Sequence, residues 1–261
     1  MKRSTICSAL LVAMAIVFAG NANLFASDTD QRIESSAKQT YVYRTYLKND
    51  KIKVKSTDGA VTLTGTVNED SHKSLAQETV ASMPGVKSVD NKLTLKGKAP
   101  LDGTDAWLIT KVKLTLLFHK NVNASGTKVS SKKGAITLRG KATSLAQKDL
   151  TTEYAGDVDG VKSVKNDMTV PPVVASTGTA AVAKKMDAVA EVIDDASITA
   201  LVKMTLLSHR STSALNTKVE TKDGIVSLSG KAKNGAEKDL ATKLVSDVQG
   251  VKTVVNNMSA G

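Results

Sequence analysis

One turn and strand is written three times in this chain, and that repetition constrains the fold more than any other feature. "DGAVTLTG" runs from Asp58 to Gly65, "KGAITLRG" from Lys133 to Gly140, and "DGIVSLSG" from Asp223 to Gly230. At offsets of 75 and 90 residues the register extends well beyond these octets. Val54, Val129 and Val219 coincide, as do Leu75, Leu150 and Leu240, then Gly85, Gly160 and Gly250, then Asn91, Asn166 and Asn256. A register kept over such a span is one domain copied three times, each copy able to bury its own face against a neighbour.

Each copy reads helix, strand, strand, helix, strand. The first segment has helical spacing, as in Ile198, Val202 and Leu206, because residues four apart share a helix face. Asp30, Asp105 and Asp195 precede it, where a carboxylate caps free backbone amides. Two alternating strands follow, joined by an Asp-Gly or Lys-Gly pair that suits a tight hairpin turn. A second helix carries Leu75, Thr79 and Met83, or Leu150, Tyr154 and Val158, and ends at Pro84-Gly85, Asp159-Gly160 or Gln249-Gly250. Gly65, Gly140 and Gly230 lie inside a strand pattern, which points to a bulge or a close helix–strand approach. The fold class is therefore α+β: three tandem small α-β-β-α-β domains, each a mixed three-stranded sheet with two helices. Their expected bounds are 29–97, 104–170 and 195–261. Gly97 to Gly103 is a short connection that sets copies one and two close together. Residues 171–194, rich in Pro, Ser, Thr, Gly and Ala, read as a linker.

The "L-x-G-x-V/A" second strand and the "G-V-x-x-V-x-N" third strand, present in every copy, resemble the BON domain. The resemblance covers nearly the whole chain after its first residues. It implies a non-enzymatic role in envelope or osmotic stress, with phospholipid interaction or chaperone-like help to exported proteins.

The N-terminus suggests where such a role is exercised. Lys2 and Arg3 precede an uncharged apolar run from Ile6 to Ala19, followed by small and polar residues. That order describes a cleaved signal peptide over 1–26, with the cut after Ala26 or Ala22. The apolar run is short for a membrane span, which wants about 20 residues. The single cysteine, Cys7, falls inside the removed segment, leaving no disulfide, thiol nucleophile or thiolate metal site. The expected compartment is the bacterial periplasm.

No catalytic constellation emerges, and neither a metal nor a cofactor is expected. His119 and His209 occupy equivalent places at the end of the first helix, where copy one has Arg44. Lacking companions at metal-ligand spacing, they read as helix C-terminal cations, which the helix dipole favours. His72 reads as a solvated residue of the second helix's first turn. No repeated glycine is followed by the Lys-Ser/Thr of a phosphate loop, and no serine sits in a nucleophile elbow.

Charge and one helix remain. The formal charge is +11, or +9 without Lys2 and Arg3, which attracts anionic lipid, acidic protein or nucleic acid. Export argues against nucleic acid, and aromatic residues at 3% supply no stacking platform. Copy two is the most basic, with 11 Lys and Arg against 6 Asp and Glu. In its first helix Trp107, Leu114 and Phe118 form a second apolar stripe, roughly 140° from the core stripe at 3.6 residues per turn. With Lys111, Lys113 and Lys120 this face suits an anionic phospholipid surface, or exported client proteins. Equally, it suits packing against copy one or three. Composition and pattern leave the oligomeric state open.

Overall fold

The computed structural model describes residues 23–98, 100–171, 192–212 and 217–261. Most of the expected signal segment (1–22) and most of the expected linker (172–191) lie outside the described residues. Copy one comprises α1 (Asn23–Gln39), α2 (Tyr41–Thr45), β1 (Lys51–Thr57), β2 (Ala60–Val67), α3 (Ser71–Ala81) and β3 (Ser88–Leu95). Copy two comprises α4 (Asp105–Leu117), β4 (Thr127–Lys132), β5 (Ala135–Gly140), α5 (Leu145–Gly156) and β6 (Ser163–Asn166). Copy three comprises α6 (Asp195–Ser208), β7 (Thr217–Lys222), β8 (Ile225–Ala232), α7 (Gly235–Ser246), β9 (Thr253–Asn256) and β10 (Ser259–Ala260). The α-β-β-α-β order and the α+β class hold in all three.

Every sheet is mixed. The hairpin strands pair antiparallel, with Val54 opposite Leu63, Val129 opposite Leu138 and Val219 opposite Leu228. The last strand joins the second in parallel, setting Val61 beside Val89, Ile136 beside Val164 and Val226 beside Val254. In copy three β9 and β10 are two parts of that last strand, both parallel to β8. The helices cover the face these residues share.

The repeated residues have local tasks. Asp58-Gly59, Lys133-Gly134 and Asp223-Gly224 all have positive φ, the backbone of a type I′ turn whose twist matches the strands. The three aspartates expected to cap the first helix bind these turns instead. The Asp105 carboxylate accepts from Lys133 N at 2.8 Å, Gly134 N at 3.1 Å and Ser131 Oγ at 2.5 Å. Asp30 takes the same bonds from Asp58, Gly59 and Ser56, and Asp195 those from Asp223 and Gly224. The hydroxyl of Ser56 or Ser131, then the turn amides, hold Asp30 and Asp105 below the usual carboxylate range. Thr104 and Asp194 are the caps of α4 and α6.

The recurrent asparagine stitches the last strand to the second helix. Asn166 Nδ2 donates to Lys148 O and Thr152 Oγ1, both at 2.8 Å, and its Oδ1 accepts from Met168 N. Asn91 and Asn256 repeat the arrangement. The in-strand glycines mark a close approach between strands, not between helix and strand. A Cβ on Gly65 would stand 1.9 Å from Lys51 O, and one on Gly140 2.1 Å from Gly126 O.

The three copies do not hang as separate beads. Copies one and three share one continuous apolar core, which Phe118 of copy two enters. α6 lies at its centre, with nine residues buried around its circumference, including Ala200, Leu201 and Met204. α3 packs across it, and Lys203 Nζ meets Glu78 Oε2 at 2.9 Å beside that crossing. Copy three also breaks copy one's first helix. Asp194 Oδ2 accepts from Tyr41 N at 2.7 Å and Ser197 Oγ from Val42 N at 3.0 Å. Those amides would otherwise continue the intrahelical ladder, and α1 stops while α2 restarts behind Thr40.

Candidate functional site

α4 starts where Thr104 Oγ1 accepts from Trp107 N at 3.3 Å, so Trp107 stands on the first turn with Lys111 and Leu114 along the same face. Lys111 Nζ lies 4.1 Å from the Trp107 ring centroid, within reach of a cation–π attraction. This face of α4 borders a groove of about 370 Å³. Its apolar wall continues onto Leu95 at the end of β3 and onto Met204 and Leu207 of α6. Leu207 is 58% exposed, so the groove offers apolar surface to solvent. Its lining carries Lys96 and Lys98 besides Lys111, and also Glu69, Asp70 and Asp102.

Of the six residues expected to form one surface, the structure gathers three. Trp107, Lys111 and Leu114 line the groove, and Lys113 is exposed outside it. Phe118 is not part of this surface and follows the other reading of the stripe, packing against copies one and three. It is fully buried, edge-on to Tyr46 with centroids 5.6 Å apart. Its backbone oxygen accepts from Gln249 N of copy three at 3.0 Å. Lys120 is likewise committed to copy three, donating from Nζ to Ser246 O at 2.6 Å and from its amide to Asp247 O at 2.8 Å. The stripe thus divides along the helix: its start faces the groove and its end enters the join between copies. Met204 and Leu207 of copy three complete the wall and were not among the six expected residues, because nothing in a helix's own spacing shows which neighbouring copy it faces.

The histidines also differ from expectation. His119 and His209 are 1% exposed, and their Nε2 atoms face each other at 3.2 Å. Burial lowers the pKa of His119 more than Asp247 beside it can raise it, which is the opposite of a helix-end cation. Burial won because each helix end is covered by the other copy. Their equivalence at one repeat position was a signal that two copies related by a twofold axis would bring them together. His72 is no solvated ring either: its Nδ1 lies 2.6 Å from Asp50 Oδ2 and its side chain is mostly covered. Among the described residues no three His, Cys, Asp or Glu side chains group so as to hold a metal ion, and no helix is long and apolar enough to cross a membrane.

Comparison with known proteins follows the same three units. The family model for the BON domain matches residues 29–97, 104–172 and 194–261. Osmotically-inducible protein Y of Escherichia coli (strain K12) is 30% identical over 154 residues, covering 59% of this chain and 71% of that protein. Outer membrane lipoprotein DolP of Haemophilus influenzae is 32% identical over 42% of this chain and 57% of its own length. A 21 kDa hemolysin of Actinobacillus pleuropneumoniae is 32% identical over 44% of this chain and 59% of its own length. The matched region therefore spans little more than half of these last two relatives.

Proposed function

The chain belongs to the BON-domain family, with three BON domains, and from that premise we propose a non-enzymatic periplasmic protein of envelope or osmotic stress that binds anionic phospholipid surfaces through the groove beside α4. One observation carries the reading. Trp107, Leu114 and the exposed Leu207 present apolar surface directly beside Lys96, Lys98 and Lys111. Aromatic rings partition to the headgroup level of a bilayer, and lysines next to them meet phosphate. The relatives' names, one osmotically inducible and one an outer membrane lipoprotein, support an envelope setting. The chain's net positive charge adds long-range attraction to an anionic leaflet, one that salt screens.

Vesicle co-sedimentation tests it. Binding is expected to anionic vesicles and not to neutral ones, to weaken as salt rises, and to be lost in Trp107→Ala with Lys111→Glu. Equal binding to neutral vesicles, or none to either, overturns it. A second reading, holding of exported client proteins, draws on the same exposed Leu207. It is favoured if the protein suppresses aggregation of an unfolded client without lipid and the same double substitution removes that effect.

A further inference from the structure

The join between copies two and three is built twice from equivalent residues. His119 follows α4 and pairs antiparallel with Val248, while His209 follows α6 and pairs antiparallel with Val158. Lys120 N–H donates to Asp247 O at 2.8 Å, and Arg210 N–H to Asp157 O at 2.9 Å. An approximate twofold axis thus passes between the imidazoles, with Asp247 Oδ2 3.2 Å from His119 Nδ1 and Asp157 Oδ2 3.0 Å from His209 Nδ1. Arg44 and Ser82 stand at these positions in copy one, so this join is particular to copies two and three.

The protons on this row can be counted. Two imidazoles meeting through Nε2 need one N–H and one lone pair. His209 Nδ1 donates to Asp157, which leaves its Nε2 as the acceptor and makes His119 Nε2 the donor. His119 Nδ1 is then the atom without a well-aligned hydrogen bond. These proton positions follow from the partners, and they describe a neutral pair. A proton added at His119 Nδ1 creates a cation away from water, which Asp247 only partly offsets. A further proton on His209 Nε2 turns two N–H groups against each other across 3.2 Å.

We propose that this histidine pair is an acid-sensitive latch, closed while neutral and released on protonation, so that acidification frees copy two from copy three. The sign follows from linkage. A histidine held below its ordinary value in the closed state contributes stability above about pH 6.5 and loses it as pH falls through the closed-state value. The direction for His119 is downward, from burial first.

Other titratable and charged groups face the pair from each element packed against it. From α5, Tyr154 stacks on His119 with centroids 3.8 Å apart and gives its hydroxyl proton to Asp247 at 2.8 Å. Burial and Asp247 push that phenol far upward. Burial acts to raise Asp157, but the His209 and Ser211 hydrogen bonds and the Arg210 charge outweigh it and keep this carboxylate low. Asn121 donates to Asp247. Lys120 and the Lys243–Glu153 pair cross the rim of the same join.

Amide hydrogen exchange on the full chain, corrected for the intrinsic pH dependence of exchange, reads the latch at Lys120 and Arg210. Protection of both amides should fall at least about tenfold, reversibly, between about pH 7.5 and pH 5, a range that brackets the ordinary histidine pKa. The Gly59 amide in copy one's hairpin turn should not change with it. His119→Gln with His209→Gln should flatten the response, whereas His72→Gln should keep it. Should the double variant fail to fold, proton NMR of the wild-type rings replaces it: the His119 ring must titrate below the ordinary range, together with the loss of amide protection. Flat protection in the wild type overturns the proposal, as does a response surviving in the double variant or vanishing in His72→Gln, or a His119 ring titrating at the ordinary value while the amides stay protected.

Discussion

At Gly140 φ is 142°, and a side chain there would meet Gly126 O at 2.1 Å, just before the facing strand β4. Both facts require glycine: the backbone lies in a region that L-residues seldom occupy, and there is no room for a Cβ. Gly140→Ala should therefore destabilise the protein by roughly 2 kcal/mol or more, combining backbone strain with displacement of the strand. Urea unfolding followed by circular dichroism measures it, and a change within a few tenths would mean that the strands part easily. The recurrence of Gly65, Gly140 and Gly230 marked these positions in the sequence. The reason for glycine was not legible there, because the offending carbonyl belongs to a residue at or just before the start of the other strand. Asp30, Asp105 and Asp195 teach the same lesson. Their spacing fitted a helix cap, yet the amides they serve lie 28 and 29 residues further on, in the hairpin turn.

Elements were legible wherever their own periodicity set them. The α-β-β-α-β order, the hairpins and the helix stops all follow from local pattern. What a periodicity cannot say is what sits opposite a helix's second face. α4 looked the most amphipathic on two sides, yet α6 is the one buried around its circumference, since Ala200, Leu201 and Met204 meet copy one. The interruption between α1 and α2 had no local signal either, since Asp194 and Ser197 of copy three supply the competing acceptors. The division of the α4 stripe gives a direct test. Phe118→Ala removes a fully buried ring and should cost about 3–5 kcal/mol. Trp107→Ala on the same helix face should cost far less, because the ring is only half-buried beside the groove. Chemical denaturation of the two single variants distinguishes them, and similar losses in both would mean that the groove is closed against solvent.

Across the whole molecule the repeat suggested three units joined in series, and the contacts make a different arrangement. Copy three is last in sequence and central in space, sharing its core with copy one and its paired-histidine join with copy two. Gln249 touches both neighbours: its Oε1 accepts from Tyr41 Oη at 3.0 Å, while its amide donates to Phe118 O and its Nε2 to Leu117 O. Such contacts hold without an intact chain if they outweigh the entropy of keeping two fragments together, and a shared apolar core is the kind of interface that does. A specific protease site placed within 172–191 makes this measurable, because cleavage there cuts copy three from the rest covalently while leaving every described contact in place. The two fragments should co-elute on gel filtration at neutral pH and separate only in denaturant. Adding Phe118→Ala, which empties the point where copy two enters the common core, should weaken that association. Separate elution of the unmutated fragments at neutral pH would mean that the copies are held together by the chain alone.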